Sequence, residues 1–386
     1  MTYEEVKRRA FLPPPEAEQH PGPPPGWVPP PPPKEMEPEC EAVITGALRV
    51  EGEKQELAGG VYTATEDNQS ALYARAGAKV SLTGTVLEKT GGALVQEYTD
   101  EAGQTVRLPM LRGINSTVLS NGEGTEVRLK DCRIVSHCEP GDMALEASNG
   151  VFAVFRGKAF LENVDIALDG GFAHGLYDSQ FGTICAEGCR VVTTGHCASA
   201  LATDQPGGDL FIRNTWALCR GPASAGVYVD GGSHAEVTAC DLRSLQAEGA
   251  VLCNDGFLRL SDTVIRGALE SRRCPQHWDH IGNGTVILRD CRVAGDLAAC
   301  DDCALSVRLE NSAVTGRMHH VALRVGYGSR VVFTGDSELE ALETEELSAL
   351  SALVPCTVTY LPTEALSGDY DLGNLRLRQR REGGAV

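Results

Sequence analysis

The chain has 386 residues and a net charge of −19, with 42% apolar but only 5% aromatic residues. An acidic body repels phosphate backbones and anionic bilayers, so nucleic acid is excluded as an expected partner, and the absence of any run of about 18 apolar residues argues against membrane insertion. Forty-three glycines beside so few aromatics suit a stack of small repeated turns better than a helical or α/β core.

The opening MTYEEVKRRAFLPPP carries charges throughout and lacks the apolar stretch of roughly 7 to 15 residues found in a secretory leader. The expectation is a cytoplasmic protein, or one exported by a leaderless route, whose 14 cysteines are mostly free thiols. TYEEVKRRAFL could form a short helix. Residues 12 to 38 then hold 13 of the 20 prolines, which lack backbone donors and favour an extended polyproline II spacer; such a segment can also serve an aromatic-lined groove as ligand. Residues 1–40 therefore read as a short helix plus a proline-rich spacer.

From residue 41 to about 340 a pattern of apolar, x, Asp/Asn, small, x, apolar recurs eight times: LKDCRI at 129, LENVDI at 161, AEGCRV at 186, IRNTWA at 212, VTACDL at 237, LSDTVI at 260, LRDCRV at 288 and LENSAV at 309. An earlier line, LTGTVL at 82, joins the series with two less regular turns expected in between. A second apolar column runs beside it, at GVFAV 150, GLYD 175, ALAT 200, GVYV 226, AVLC 250, ALSV 304 and ALRV 322. Each repeat thus carries at least two short strands and no amphipathic stretch long enough for a helix, which points to a β-solenoid of roughly ten to twelve coils. The segment 341–386 should cap the last coil and end in a polar tail.

Within the line, the third letter (Asp131, Asn163, Gly188, Asn214, Asp262, Asp290, Asn311) marks a bend that needs a residue tolerant of left-handed backbone. The fourth letter is small and should face inward. Cysteine fills it in alternate coils, at Cys132, Cys189, Cys240 and Cys291. Two ladder spacings of about 4.8 Å separate these thiols, too far for disulfides.

Three sets of residues invite chemistry. Asp178, Asp204, Asp230 and Asp255 recur every 25 or 26 residues and are read either as solvated turn residues or as a carboxylate line that collects Ca²⁺ or orients the hydroxyls of a polysaccharide. His174, Tyr177, His196 and His234 lie at comparable points on flanking repeats and would form the aromatic and imidazole patch where a sugar docks. Cys274, His277, Cys300 and Cys303, with His280 as a substitute, have spacings that suit tetrahedral Zn²⁺, against the plainer reading of a loop insertion. For a lyase, Arg213 and Arg220 are the nearest candidate bases, with no motif to single them out.

The lines NGVFAV (149–154), HGLYDS (174–179), VVTTGHCASALATDQPGG (191–208), AGVYVDGG (225–232) and EGAVLCNDG (248–256) resemble a group of bacterial and fungal right-handed parallel β-helix proteins, often labelled adhesin-like, within the pectin-lyase-like superfamily. The resemblance implies an all-β fold made of one right-handed parallel β-helix, and no particular activity. Polygalacturonase lines such as NTD, GHG and RIK do not occur; TGHCAS lacks the second glycine. The expectation is a non-catalytic carbohydrate-binding or adhesin-like scaffold, with a polysaccharide lyase or glycoside hydrolase, or a purely structural rod, as alternatives.

Overall fold

The structure is a computed structural model of the chain, and it describes residues 35–36, 38–92, 97–99, 105–107, 112–137, 148–204, 207–230, 233–245, 251–254, 256–272, 283–300 and 303–380. The expected N-terminal helix and proline-rich spacer lie outside the described residues, apart from residues 35–36 and the short helix Pro38–Val43 at the end of that stretch. Almost all other regular structure is strand, arranged in parallel sheets.

The chain visits three parallel ladders in turn. In the first ladder all eight expected lines stack on one another, with Leu129, Leu161, Ala186, Ile212, Val237, Leu260, Leu288 and Leu309 paired in sequence. After the bend comes the second ladder, in which Ile134, Ile166, Val191, Ala217, Leu242 and Ile265 are successive partners. The third ladder follows the second apolar column from Val118 through Val151, Leu176, Leu201, Val227 and Val251. Side chains alternate across each strand, so one set from every ladder meets in a single large apolar core.

The bend behaves as its residue types require. Asp131, Asn163, Asn214, Asp262, Asp290 and Asn311 all have φ between 48° and 54°, and Gly188 has φ 67°. Asparagine and aspartate tolerate this left-handed region because their short polar side chains bond locally. Two pairs also bond across adjacent repeats: Asn163 Nδ2 donates to Asp131 Oδ1 at 3.3 Å, and Asn311 Nδ2 to Asp290 Oδ1. Ala239 holds the same conformation at φ 55° without such a side chain.

The fourth letter is buried in all eight lines, and its chemistry is more specific than small size. The bend takes this residue's N–H out of the ladder, and a buried donor must find another acceptor. The side chain one repeat on supplies it. Cys189 N–H donates to Thr215 Oγ1 (3.3 Å), Thr215 N–H to Cys240 Sγ (3.4 Å), Cys240 N–H to Thr263 Oγ1 (3.3 Å) and Cys291 N–H to Ser312 Oγ (3.0 Å). Each hydroxyl or thiol then donates to the carbonyl two residues before it, as Thr215 does to Arg213 O at 3.0 Å. Cysteine, serine and threonine are short groups able to do both. Cys132, Cys189, Cys240 and Cys291 are free thiols, and burial pushes the last three up to about 11.

Three expectations need correction. Leu82 pairs directly with Leu129, so the residues between them form one enlarged repeat rather than two irregular ones; it includes the antiparallel pair Glu97–Thr99 and Thr105–Arg107. The segments at 304 and 322 belong to the first ladder, since Leu305 pairs with Gly284 and with Val321. The third ladder continues instead through Leu269, Leu297 and Met318. Apolar alternation alone does not tell on which side of a turn a strand pairs, and here the single seven-residue strand Ala304–Glu310 holds both the segment at 304 and the start of the line at 309. Lastly, parallel pairing runs beyond residue 340, through Cys356–Tyr360 to Leu375–Gln379, before the antiparallel strand Tyr370–Leu372 closes that edge.

Close stacking at the turn after the second ladder depends on glycine. A Cβ on Gly195 would overlap Gly170 O, and one on Gly221 would overlap Gly195 O. A second, smaller apolar cluster covers the outward face of the third ladder, where Met36 and Ile44 pack with Tyr73, Leu119, Phe152 and Tyr177.

Candidate functional site

The carboxylate line is broken by register. Tyr177 pairs with Ala202, and Asp178 pairs with Thr203, which pairs in turn with Val229. Val229 belongs to the core, so Asp178 points inward, whereas Asp204 and Asp230 are one place further on and face outward. Asp255 lies outside the described residues. Asp178 is fully buried, and neither of its oxygens meets a hydrogen-bond partner among the described residues. Burial pushes its carboxyl well above the usual range; the facing Thr203 hydroxyl works against this, and the charge of Asp209 adds to it.

Asp204 and Asp230 are each joined to a tyrosine. Tyr177 donates to Asp204 Oδ2 at 3.1 Å, and Tyr228 donates to Asp230 Oδ2. His174 packs against Tyr177 at 4.7 Å and stacks nearly parallel to Tyr228 at 6.3 Å. Its Nδ1 accepts the Ser199 N–H at 3.1 Å, which places the ring proton on Nε2, and burial lowers its pKa to about 4. Asp204, Asp230 and Tyr177 are at most 5% exposed. This part of the expected patch is a packed polar cluster on the outer face of the third ladder, little open to a polymer.

The remaining candidates scatter. His196 makes an edge-to-face contact with Phe172 at 5.0 Å. His234 sits on the first ladder, a different face from His174 and Tyr177. Cys274, His277 and His280 lie outside the described residues, while Cys300 and Cys303 are paired sulfur to sulfur.

His234 leads to a site that the expected residues do not include. On the first ladder's outward face, Arg128, Phe160, Cys185, Phe211, Glu236 and Arg259 are successive register partners. The first five of them line an open groove of about 620 Å³. Arg128 lies over the Phe160 ring at 4.3 Å. Phe211, 37% exposed, meets the His234 ring at 5.7 Å. That imidazole stacks on Phe257 at 5.6 Å, and Arg259 lies over Phe257 at 5.7 Å. Polar groups edge the track: Lys130 pairs with Glu162 at 2.6 Å, Arg259 pairs with Glu236 at 2.8 Å, and Glu187 accepts from Asn214 at 3.2 Å. Burial raises the pKa of the Cys185 thiol.

Rings spaced along a ladder, with carboxylates and guanidinium groups at their edges, match the two faces of a sugar: apolar C–H on the ring plane and hydroxyls around it. The signal was present one letter before each of the first six lines, where the sequence reads R, F, C, F, E, R. Compared with known proteins, the chain matches no family model and no curated protein.

Proposed function

We propose that the three ladders close into a single right-handed parallel β-helix of the pectin-lyase-like kind, and that this rod is a non-catalytic carbohydrate-binding, adhesin-like scaffold. What supports the closed helix is the order of the ladders, visited in turn by every repeat, and the twelve strands of the second ladder's sheet, which correspond to about twelve coils. The observation that carries the function is the outward track Phe160, Phe211, His234 and Phe257, flanked by Arg128 and Arg259. An extended glycan would lie along the helix axis, each sugar covering about one rung of 4.8 Å. Glu162 and Glu236, paired with Lys130 and Arg259, would supply hydrogen bonds at its edges.

The test is a glycan array probed with wild type and with the Phe160→Ala, Phe211→Ala double variant. Wild type should retain an extended glycan without releasing product, and the double variant should lose retention while keeping its β-sheet circular dichroism. Equal retention by both would move the site elsewhere. Product release, such as unsaturated uronate absorbance, would replace a binding scaffold with a lyase.

A further inference from the structure

Away from the aromatic track, the geometry points to a divalent metal site of the zinc class near the C-terminal end, built from His320, Glu338 and Glu340. One ligand atom from each lies within 4.8 Å of the others, and His320 Nδ1 is 2.7 Å from Glu340 Oε1. An imidazole with two carboxylates is a donor set for zinc or cobalt, unlike the all-oxygen sets of calcium.

The sequence brings these groups together through an irregularity. Strand Met318–Val325 pairs with Ser337–Thr344, and Glu338 and Glu340 project from one side of the latter. The register runs His319 to Glu338 and then Val321 to Leu339, leaving His320 as an extra residue with φ 53°. A bulge of this kind re-aims one side chain, and here it turns the imidazole toward the two glutamates. His319, whose ring is 4.1 Å from that of His320, stands beside the cluster without joining the three mutually close ligand atoms.

A groove of about 550 Å³ opens beside the cluster, lined by Asp296, Arg317, His319, Asp336 and Glu338 among others. An ion held at its lip keeps coordination positions open toward solvent and a small ligand. In the metal-free protein Arg380 supplies the positive charge: its guanidinium pairs with Glu338, and with Glu340 at 3.3 Å, and donates to Leu339 O at 2.7 Å. Two carboxylates balanced by one guanidinium leave a net negative charge, which a divalent ion would cancel on displacing the arginine.

Titration of the full chain with Co²⁺, followed by visible absorption and calorimetry, tests this. A saturable site without the intense near-ultraviolet band of thiolate ligation is expected, with competition by Zn²⁺. His320→Ala should weaken it at least tenfold. Arg380→Gln should tighten it about tenfold, and Glu340→Gln, which keeps the side chain's size, guards against a folding artefact by weakening it with unchanged circular dichroism. Absence of saturable binding in both wild type and Arg380→Gln overturns the proposal. So does a thiolate-type spectrum unaffected by His320→Ala, which would place the metal on cysteines.

Discussion

Replacing Asp178 by asparagine removes an ionisable group from the interior at nearly constant size. The carboxyl is fully buried without a hydrogen-bonded partner among the described residues, and burial raises its pKa well above the usual carboxylate range. In the unfolded chain it titrates near 3.9. Between these two values the folded state holds a proton that the unfolded state has released, so stability is fully present below about pH 3.9 and falls as pH rises from there through the folded-state pKa. The loss is about 1.4 kcal/mol per pH unit across that window and constant above it. An asparagine at this position does not titrate and carries no such dependence. Urea midpoints of both proteins at intervals from pH 4 to pH 9 should therefore diverge, the Asp178→Asn protein gaining relative stability with each unit until wild type has ionised. A difference that stays constant over the range would refute an inward, buried carboxyl.

Ala239→Asn should stabilise the chain by about 1 kcal/mol, since a left-handed alanine costs roughly 1–2 kcal/mol that asparagine largely avoids; urea denaturation measures it, and a destabilised variant would mean that the bend at 239 is not of the common type. Thr215→Val takes away the acceptor of the buried Cys189 N–H and should cost about 1–3 kcal/mol, despite equal volume; an unchanged midpoint would show that N–H to be satisfied otherwise. Alkylation at pH 8 followed by peptide mass mapping should modify Cys185 on the open groove while sparing Cys189, Cys219, Cys240 and Cys291, whose thiols burial pushes up to about 11. Early labelling of Cys240 would contradict its inward place.

The bend and the first ladder were legible because one backbone requirement, a left-handed residue in every repeat, restricts the letters at a fixed point. Asp131, Asn163 and Asp290 announce it as plainly in the sequence as in their φ angles. The carboxylate line failed by a single residue. Asp178 to Asp204 spans 26 positions, whereas the ladder step from Tyr177 to Ala202 is 25, and a slip of one moves a side chain to the opposite face. Loops absorb such differences silently, so spacing between acids is no guide unless counted from paired strand residues. The aromatic track was missed for a related reason: the apolar alignment selects inward letters, and Phe160 and Phe211 stand beside them in an outward column that has no shared residue type. The groups around His320 were illegible, because a bulge and a contact from Arg380, 60 positions away in the sequence, have no periodic signature.

Direct stacking of successive repeats is measured most simply by cross-linking. Thr238 and Ser261 are in-register partners on adjacent strands, so their Cα atoms should be about 4.8 Å apart, within disulfide reach. Thr238 and Arg259 lie on the same face but two residues out of register, about 7–8 Å apart. Under mild oxidation, with peptide mapping as the readout, the Thr238→Cys, Ser261→Cys protein should form its disulfide readily and the Thr238→Cys, Arg259→Cys protein should not. Equal yields from the two, or a bond only in the second, would contradict the stacked register on which the glycan track depends.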